Sequence, residues 1–151
     1  MEIQVLQHFL TSQEKAVRRL VSVCSGSLFL AAVGLLTNKR ATSHWRVINK
    51  LTSLDKHVEV QEDSIFVKDG NIYTSAGVTA GLDLALALVE EDTNRELAMA
   101  IARNLVIFYR RQGGQSQYSE PLKIQSMENQ KFRVICDYII EHIAEELSIT
   151  T

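Results

Sequence analysis

Two side chains stand out for the chemistry their types allow, Cys24 and His44. A thiolate is the nucleophilic form of cysteine. A helix N-terminus favours it, and an imidazole within reach can take the thiol proton. Cys24 closes the β-type run Leu20-Val21-Ser22-Val23, and Ser25-Gly26-Ser27 leads from it into an apolar helical run, Leu28 to Leu36. A strand, a sharp turn and a helix with sulfur at the corner lift a nucleophile to the mouth of an α/β sheet. The same corner aims the backbone N–H groups of Ser25 and Gly26 at a developing oxyanion. His44 follows twenty positions later, at the end of the next expected strand. Successive strand ends of a parallel sheet line one edge, where ligands bind. Thr74, Ser75 and Gly77 form a turn into a helix and are expected at that edge too. The expected ligand pocket is therefore Cys24, Ser25, Gly26, His44, Thr74 and Ser75, with Cys24 and His44 as its catalytic candidates. Plainer readings stand beside these: Cys24 as a small buried side chain, His44 as a local helix cap, and the Thr74–Gly77 turn as capping and packing.

The other reactive types form no constellation. His8, His57 and His142 share no ligand spacing with one another or with Cys24, so neither a metal nor a cofactor is expected. Gly113-Gly114 follows a helix and lacks a Gly-Lys-Ser/Thr ending, so it is not a phosphate loop. Arg110 and Arg111 read as a solvated helix C-terminus, and Cys136 as core on the apolar stripe of the last helix. Asp83 interrupts an apolar helix; it either has a partner inside or points to solvent at the helix start.

The elements that must hold these residues are legible from periodicity. Residues 3–19 read as a helix, with a capping-box pattern at Thr11–Glu14 where it breaks and restarts. The strand 20–23 and the elbow helix 26–36 follow. Then come a short strand Arg40–Ser43, a helix Trp45–Leu54 and a β-like stretch His57–Gln61. Ser64–Lys68 and Asn71–Ser75 flank Asp69-Gly70, a hairpin signal. Gly77 and Gly81 allow a helix reaching about Glu91 to approach the sheet closely, and Thr93 with Glu96 caps a further helix, 94–110. Beyond Pro121, residues 128–147 carry an apolar stripe of Phe132, Ile135, Cys136, Ile139, Ile140, Ile143 and Leu147. Strands alternating with helices argue an α/β layer structure around a mainly parallel sheet. Only one long strand precedes the hairpin, so the sheet is expected to lack N-terminal strands.

Composition narrows the functional classes. The net charge is −2 over 151 residues, which leaves no global basic field to hold nucleic acid. Two cysteines in these settings read as reduced thiols of a cytoplasmic protein. Glu2 directly after Met1 does not suit a secretory leader, and Leu28–Leu36 is too short to span a bilayer, so no membrane contact is expected.

Several segments in order resemble one family. They are Val23-Cys24-Ser25-Gly26, Ala32-Val33-Gly34-Leu35-Leu36, Arg40-Ala41-Thr42-Ser43-His44-Trp45 and Asp69 through Gly77, followed by Ala80-Gly81-Leu82-Asp83-Leu84-Ala85-Leu86 and Arg110 through Ser119. Together they resemble AraC-type transcriptional regulators with a ThiJ/PfpI-like (class I glutamine amidotransferase-like) sensor domain. The resemblance covers roughly residues 3–120, and the final helix resembles the opening helix of the family's helix-turn-helix DNA-binding region. It implies a partial flavodoxin-like three-layer α/β/α sensor domain at 1–120, and a connector with the first helix of an incomplete DNA-binding region at 121–151. It also implies a non-catalytic, ligand-sensing and dimerising part of a regulator. The partners implied are an unknown small-molecule effector, a second copy of the chain, and DNA only through helices beyond Thr151. The alternative is a Cys-dependent hydrolase, hydratase or glyoxalase-like enzyme using Cys24 and His44. Two departures bear on that choice. The strand-helix units that carry the enzymes' acidic neighbour of the elbow cysteine are missing here, and Gln112 stands where the family usually has proline.

Overall fold

The computed structural model describes residues 2–107, 114, 115, 134, 135, 138, 139, 141 and 142. The chain divides into two compact units, Met1–Gln115 and Ser116–Thr151. In the second, His142 donates its backbone N–H to the Tyr138 carbonyl at 3.1 Å, and the two rings stack with centroids 4.1 Å apart. Most of the expected 128–147 helix lies outside the described residues, as do Cys136, Arg110–Gly113 and Pro121.

The first unit runs α1 (Glu2–Ala16), β1 (Leu20–Val23), α2 (Gly26–Ala32), β2 (Arg40–Ala41), α3 (Ile48–Leu54), β3 (Glu59–Val60), β4 (Phe66–Asp69), β5 (Ile72–Ser75), α4 (Val78–Asp92) and α5 (Arg95–Asn104). One sheet has the order β1-β5-β4, with β1 parallel and β4 antiparallel to β5. A second ladder pairs β2 with β3 in parallel. Gly70, at φ +60°, starts the two-residue turn of the β4–β5 hairpin, a conformation glycine adopts freely.

Neighbouring residues of β1 show how the layers form. Side chains alternate across a strand. Ser22 lies beneath Gly26 of α2, whereas Val23 lies against Gly81 of α4, where an added Cβ would come within 3.2 Å of a Val23 methyl. Helices therefore cover both faces, giving an α/β/α arrangement. On the α2 side, Leu30, Ala31, Leu36, Ile48 and Leu51 bury against Ala41, Val58 and Ile72. On the other side α4 buries Ala80, Leu84 and Leu86, and α5 buries Ala98 and Ala102. Complete burial of Leu36 and of Leu51 stabilises the α2 layer by about 2 kcal/mol for each side chain.

Several expectations need correction. Helix α1 does not break at Thr11. The Thr11 hydroxyl donates back to the Gln7 and His8 carbonyls and Ser12 to Phe9, so both sit inside a continuous helix. The elbow helix ends at Ala32, where Gly34 takes φ +77° and the chain turns. Residues 45–47 form a turn before α3. The cap of α5 is Asn94, whose side chain accepts the Leu97 N–H at 2.9 Å. Thr93 instead donates to the Val89 carbonyl at 2.7 Å and closes α4. Helix α5 ends at Asn104, short of 110.

Candidate functional site

Cys24 is the residue on which the corner turns. Its φ is +59°, a left-handed conformation that costs a side-chain-bearing residue energy. Three hydrogen bonds hold it there. The Cys24 N–H donates to the Ser75 carbonyl at 2.9 Å. The Cys24 carbonyl accepts the Ser43 hydroxyl at 3.0 Å and the Ser27 hydroxyl at 3.3 Å. Strand β5, helix α2 and the loop after β2 thus converge on one residue. The thiol is half-buried, neither sealed in the core nor fully open.

Ser25 is the N-cap of α2; its side chain makes no capping bond, and the Leu28 N–H donates to its backbone carbonyl at 3.0 Å. Gly26 opens α2 above Ser22 of β1, 3.5 Å from where its Cβ would lie, an ordinary packing distance. The Ser22 hydroxyl is buried and has no hydrogen-bond partner. Such a group is destabilising unless paired, so it marks a second polar feature beneath the corner.

His44 comes to the corner by a different route from the one expected. Strand β2 does not flank β1; β5 does, and β2 pairs with β3 instead. The adjacency comes from the loop. Ser43 reaches the Cys24 carbonyl, and the His44 Cδ2 lies 3.6 Å from the position a Cβ on Gly77 would occupy. Gly77 borders the imidazole at ordinary contact distance, and Gly81 is the glycine that lies tight against the sheet. His44 Nδ1 accepts the Arg46 backbone N–H at 3.2 Å, which fixes the ring locally and leaves Nε2 for other work. The ring lies 5.4 Å from that of Trp45, and the Arg46 guanidinium lies 5.1 Å from the Trp45 centroid. Among the described residues no hydrogen bond joins the Cys24 thiol to the His44 ring.

Thr74 and Ser75 are fully buried, and their hydroxyls work inside the fold. Thr74 Oγ1 accepts the Thr42 N–H at 2.8 Å, and Ser75 donates to the Ser22 carbonyl at 3.5 Å. Both brace the corner from behind. Among the described residues no group of three or more His, Cys, Asp or Glu side chains is placed to hold a metal.

Three supporting residues were not singled out from the sequence: Ser27, Ser43 and Gln115. The Gln115 amide is buried behind the His44 turn. Its Oε1 accepts the Trp45 N–H at 3.2 Å, and its Nε2 faces the Ser43 carbonyl at 3.1 Å. The only sequence signal was Gly113-Gly114-Gln115 after a helix.

A charged cluster braces α4. The buried Tyr73 hydroxyl donates to Glu91 at 3.0 Å, Lys68 reaches the other Glu91 oxygen at 2.8 Å, and Arg19 contacts both Glu91 and Asp92. Lys68 most of all holds the Glu91 carboxyl below its ordinary range; burial opposes it, and Tyr73 and Arg19 add to the lowering. Arg19 does the same to Asp92, aided by Arg18.

Comparison with known proteins identifies the family and the fold. Residues 1–91 match the DJ-1/PfpI family. The chain is 40% identical over 105 residues to an isonitrile hydratase of Pseudomonas putida, covering 70% of this chain and 45% of that protein. It is 35% identical over 115 residues to the HTH-type transcriptional regulator GbdR of Pseudomonas aeruginosa, covering 76% of this chain and 31% of that protein. The chain thus spans less than half the length of these relatives. A crystal structure of an AraC family transcriptional regulator from Pseudomonas putida superposes with a TM-score of 0.62 at 20% identity, covering 68% of this chain and 55% of that one, and shares its fold.

Proposed function

Since the chain belongs to the DJ-1/PfpI family, we propose that it is the ligand-sensing and dimerising part of an AraC-type transcriptional regulator, not an enzyme. The layout carries this reading. The unit that holds the Cys24 corner ends at Gln115, and a separate compact unit follows it, the order expected of a sensor joined to an output. The alignment with GbdR over 115 residues supports it. In this reading a small molecule rests on the corner formed by Cys24, Ser25, Gly26 and His44, with Thr74 and Ser75 behind it. DNA is contacted by helices beyond those described.

The test is chromatin immunoprecipitation of the protein tagged at its own chromosomal locus. Enrichment at a small set of promoters is the expected result. Uniform background across the genome contradicts it.

A second reading has its own support, the 40% identity to an isonitrile hydratase together with the left-handed Cys24. In it the Cys24 thiolate adds to an electrophilic carbon and His44 Nε2 carries the proton. Incubation with an isonitrile decides this reading: formation of the N-substituted formamide, lost in Cys24→Ser, favours the enzyme.

A further inference from the structure

The Gln115 side chain has no place in either reading, yet it is built into the site. It is 8% exposed. Its Oε1 accepts the Trp45 N–H at 3.2 Å. Its Nε2 lies 3.1 Å from the Ser43 carbonyl, 3.3 Å from Thr42 Oγ1, 3.0 Å from the Glu62 carbonyl and 3.1 Å from the Ser64 carbonyl. Two amide hydrogens are shared among these four acceptors. The peptide groups on both sides of His44 therefore end on one side chain. The backbone holds that side chain in place. The Gln115 N–H donates to the Asp63 carbonyl at 2.7 Å, and a Cβ on Gly114 would lie 2.5 Å from the same oxygen. Ser43, gripped by Gln115 through its carbonyl, grips Cys24 through its hydroxyl. Gln115 is also the last residue of the first unit.

We propose that Gln115 is a positioning residue that fixes the Ser43–His44–Trp45 turn against the Cys24 corner and links that corner to the chain as it leaves the first unit. The proposal deepens the sensor reading and rests on it. A molecule that fills the corner displaces the turn, and the displacement reaches Gln115 through the two peptide groups it holds. The link is mechanical and needs no proton transfer.

The test uses the full chain in a Cys136→Ser background, so that Cys24 is the only thiol. Iodoacetamide is the probe. The Cys24 sulfur forms a bond to the methylene carbon, iodide leaves, and the thiol proton passes to solvent. Amide hydrogen exchange is read at Trp45 and Gln115, before and after alkylation, in this background and in Gln115→Met. Methionine keeps the length of the side chain and removes its donors and its carbonyl acceptor.

In Gln115→Met the Trp45 amide should exchange at least tenfold faster, with the Leu20 amide unchanged. Alkylation should change exchange at Gln115 at least threefold in the parent and leave Gln115→Met unaffected. Equal responses in the two proteins, or an unchanged Trp45 amide, overturn the proposal. If Gln115→Met does not fold, the parent decides alone, and a Gln115 amide indifferent to alkylation overturns it. Failure of the sensor reading looks different: no promoter enrichment, with the alkylation response intact.

Discussion

The Ser43 hydroxyl donates to the Cys24 backbone carbonyl at 3.0 Å. This bond ties the loop that carries His44 to the residue that carries the thiol, although they follow strands of different ladders. Ser43 is fully buried, so its removal leaves no water to replace it. Ser43→Ala should lower unfolding free energy by about 1 kcal/mol, the usual net value of such a bond, with Ser27 still donating to the same carbonyl. Urea denaturation measures it.

The left-handed Cys24 predicts an unusual order of substitutions. Alanine keeps the Cβ that makes φ +59° costly, whereas glycine removes it. Cys24→Gly should therefore be more stable than Cys24→Ala by about 1 kcal/mol, the reverse of the order within a regular helix. The denaturation midpoints of the two variants compare them directly.

Gly114 has no space for a side chain beside Asp63. The Asp63 side chain could swing aside, but its backbone carbonyl, 2.5 Å from the added Cβ, cannot. Gly114→Ala should cost about 1–3 kcal/mol, as overpacking does. It should also raise amide exchange at Trp45, because Gln115 is displaced with its neighbour.

Acid should weaken the α4 brace. The Glu91 carboxyl is held below its ordinary 4.5, first by Lys68, then by Tyr73 and Arg19. A carboxyl whose folded pKa is depressed contributes stability that is present above the unfolded value and lost as pH falls through the folded one. Wild type should therefore lose stability below about pH 4.5, and Glu91→Gln should show a shallower fall. Asp55, Asp69 and Asp92 are depressed as well, so the dependence shrinks without vanishing. Thermal melts from about pH 6 to about pH 3 give both slopes.

Local features of this chain were legible in its sequence because their causes are local. Alternation up to Cys24 and the small residues after it mark a strand and an elbow, and Asp69-Gly70 marks the hairpin. The α5 cap was misread by one residue because Thr93 and Asn94 are both good caps. Thr93 bonds back to the Val89 carbonyl of the preceding helix, and Asn94 is left to cap the next one at Leu97. The route of His44 to the corner was not legible. It depends on β2 pairing with β3 instead of β1, a long-range choice that local periodicity does not report. Gln115 was hidden for the same reason: it meets Trp45 across 70 positions, and no periodicity reports such a contact.

In the proposed sensor, the Cys24–His44 corner binds a small molecule without converting it. Trp45 is the single tryptophan and its ring lies 5.4 Å from that of His44, so its fluorescence reports occupancy of the corner. The most direct measurement titrates a panel of small metabolites into wild type and Cys24→Ser while mass spectrometry follows each compound. The expected result is a compound that shifts Trp45 emission in both proteins, with affinities within about threefold, a difference below 1 kcal/mol, and that is recovered unchanged. A compound that wild type converts and Cys24→Ser does not would contradict it.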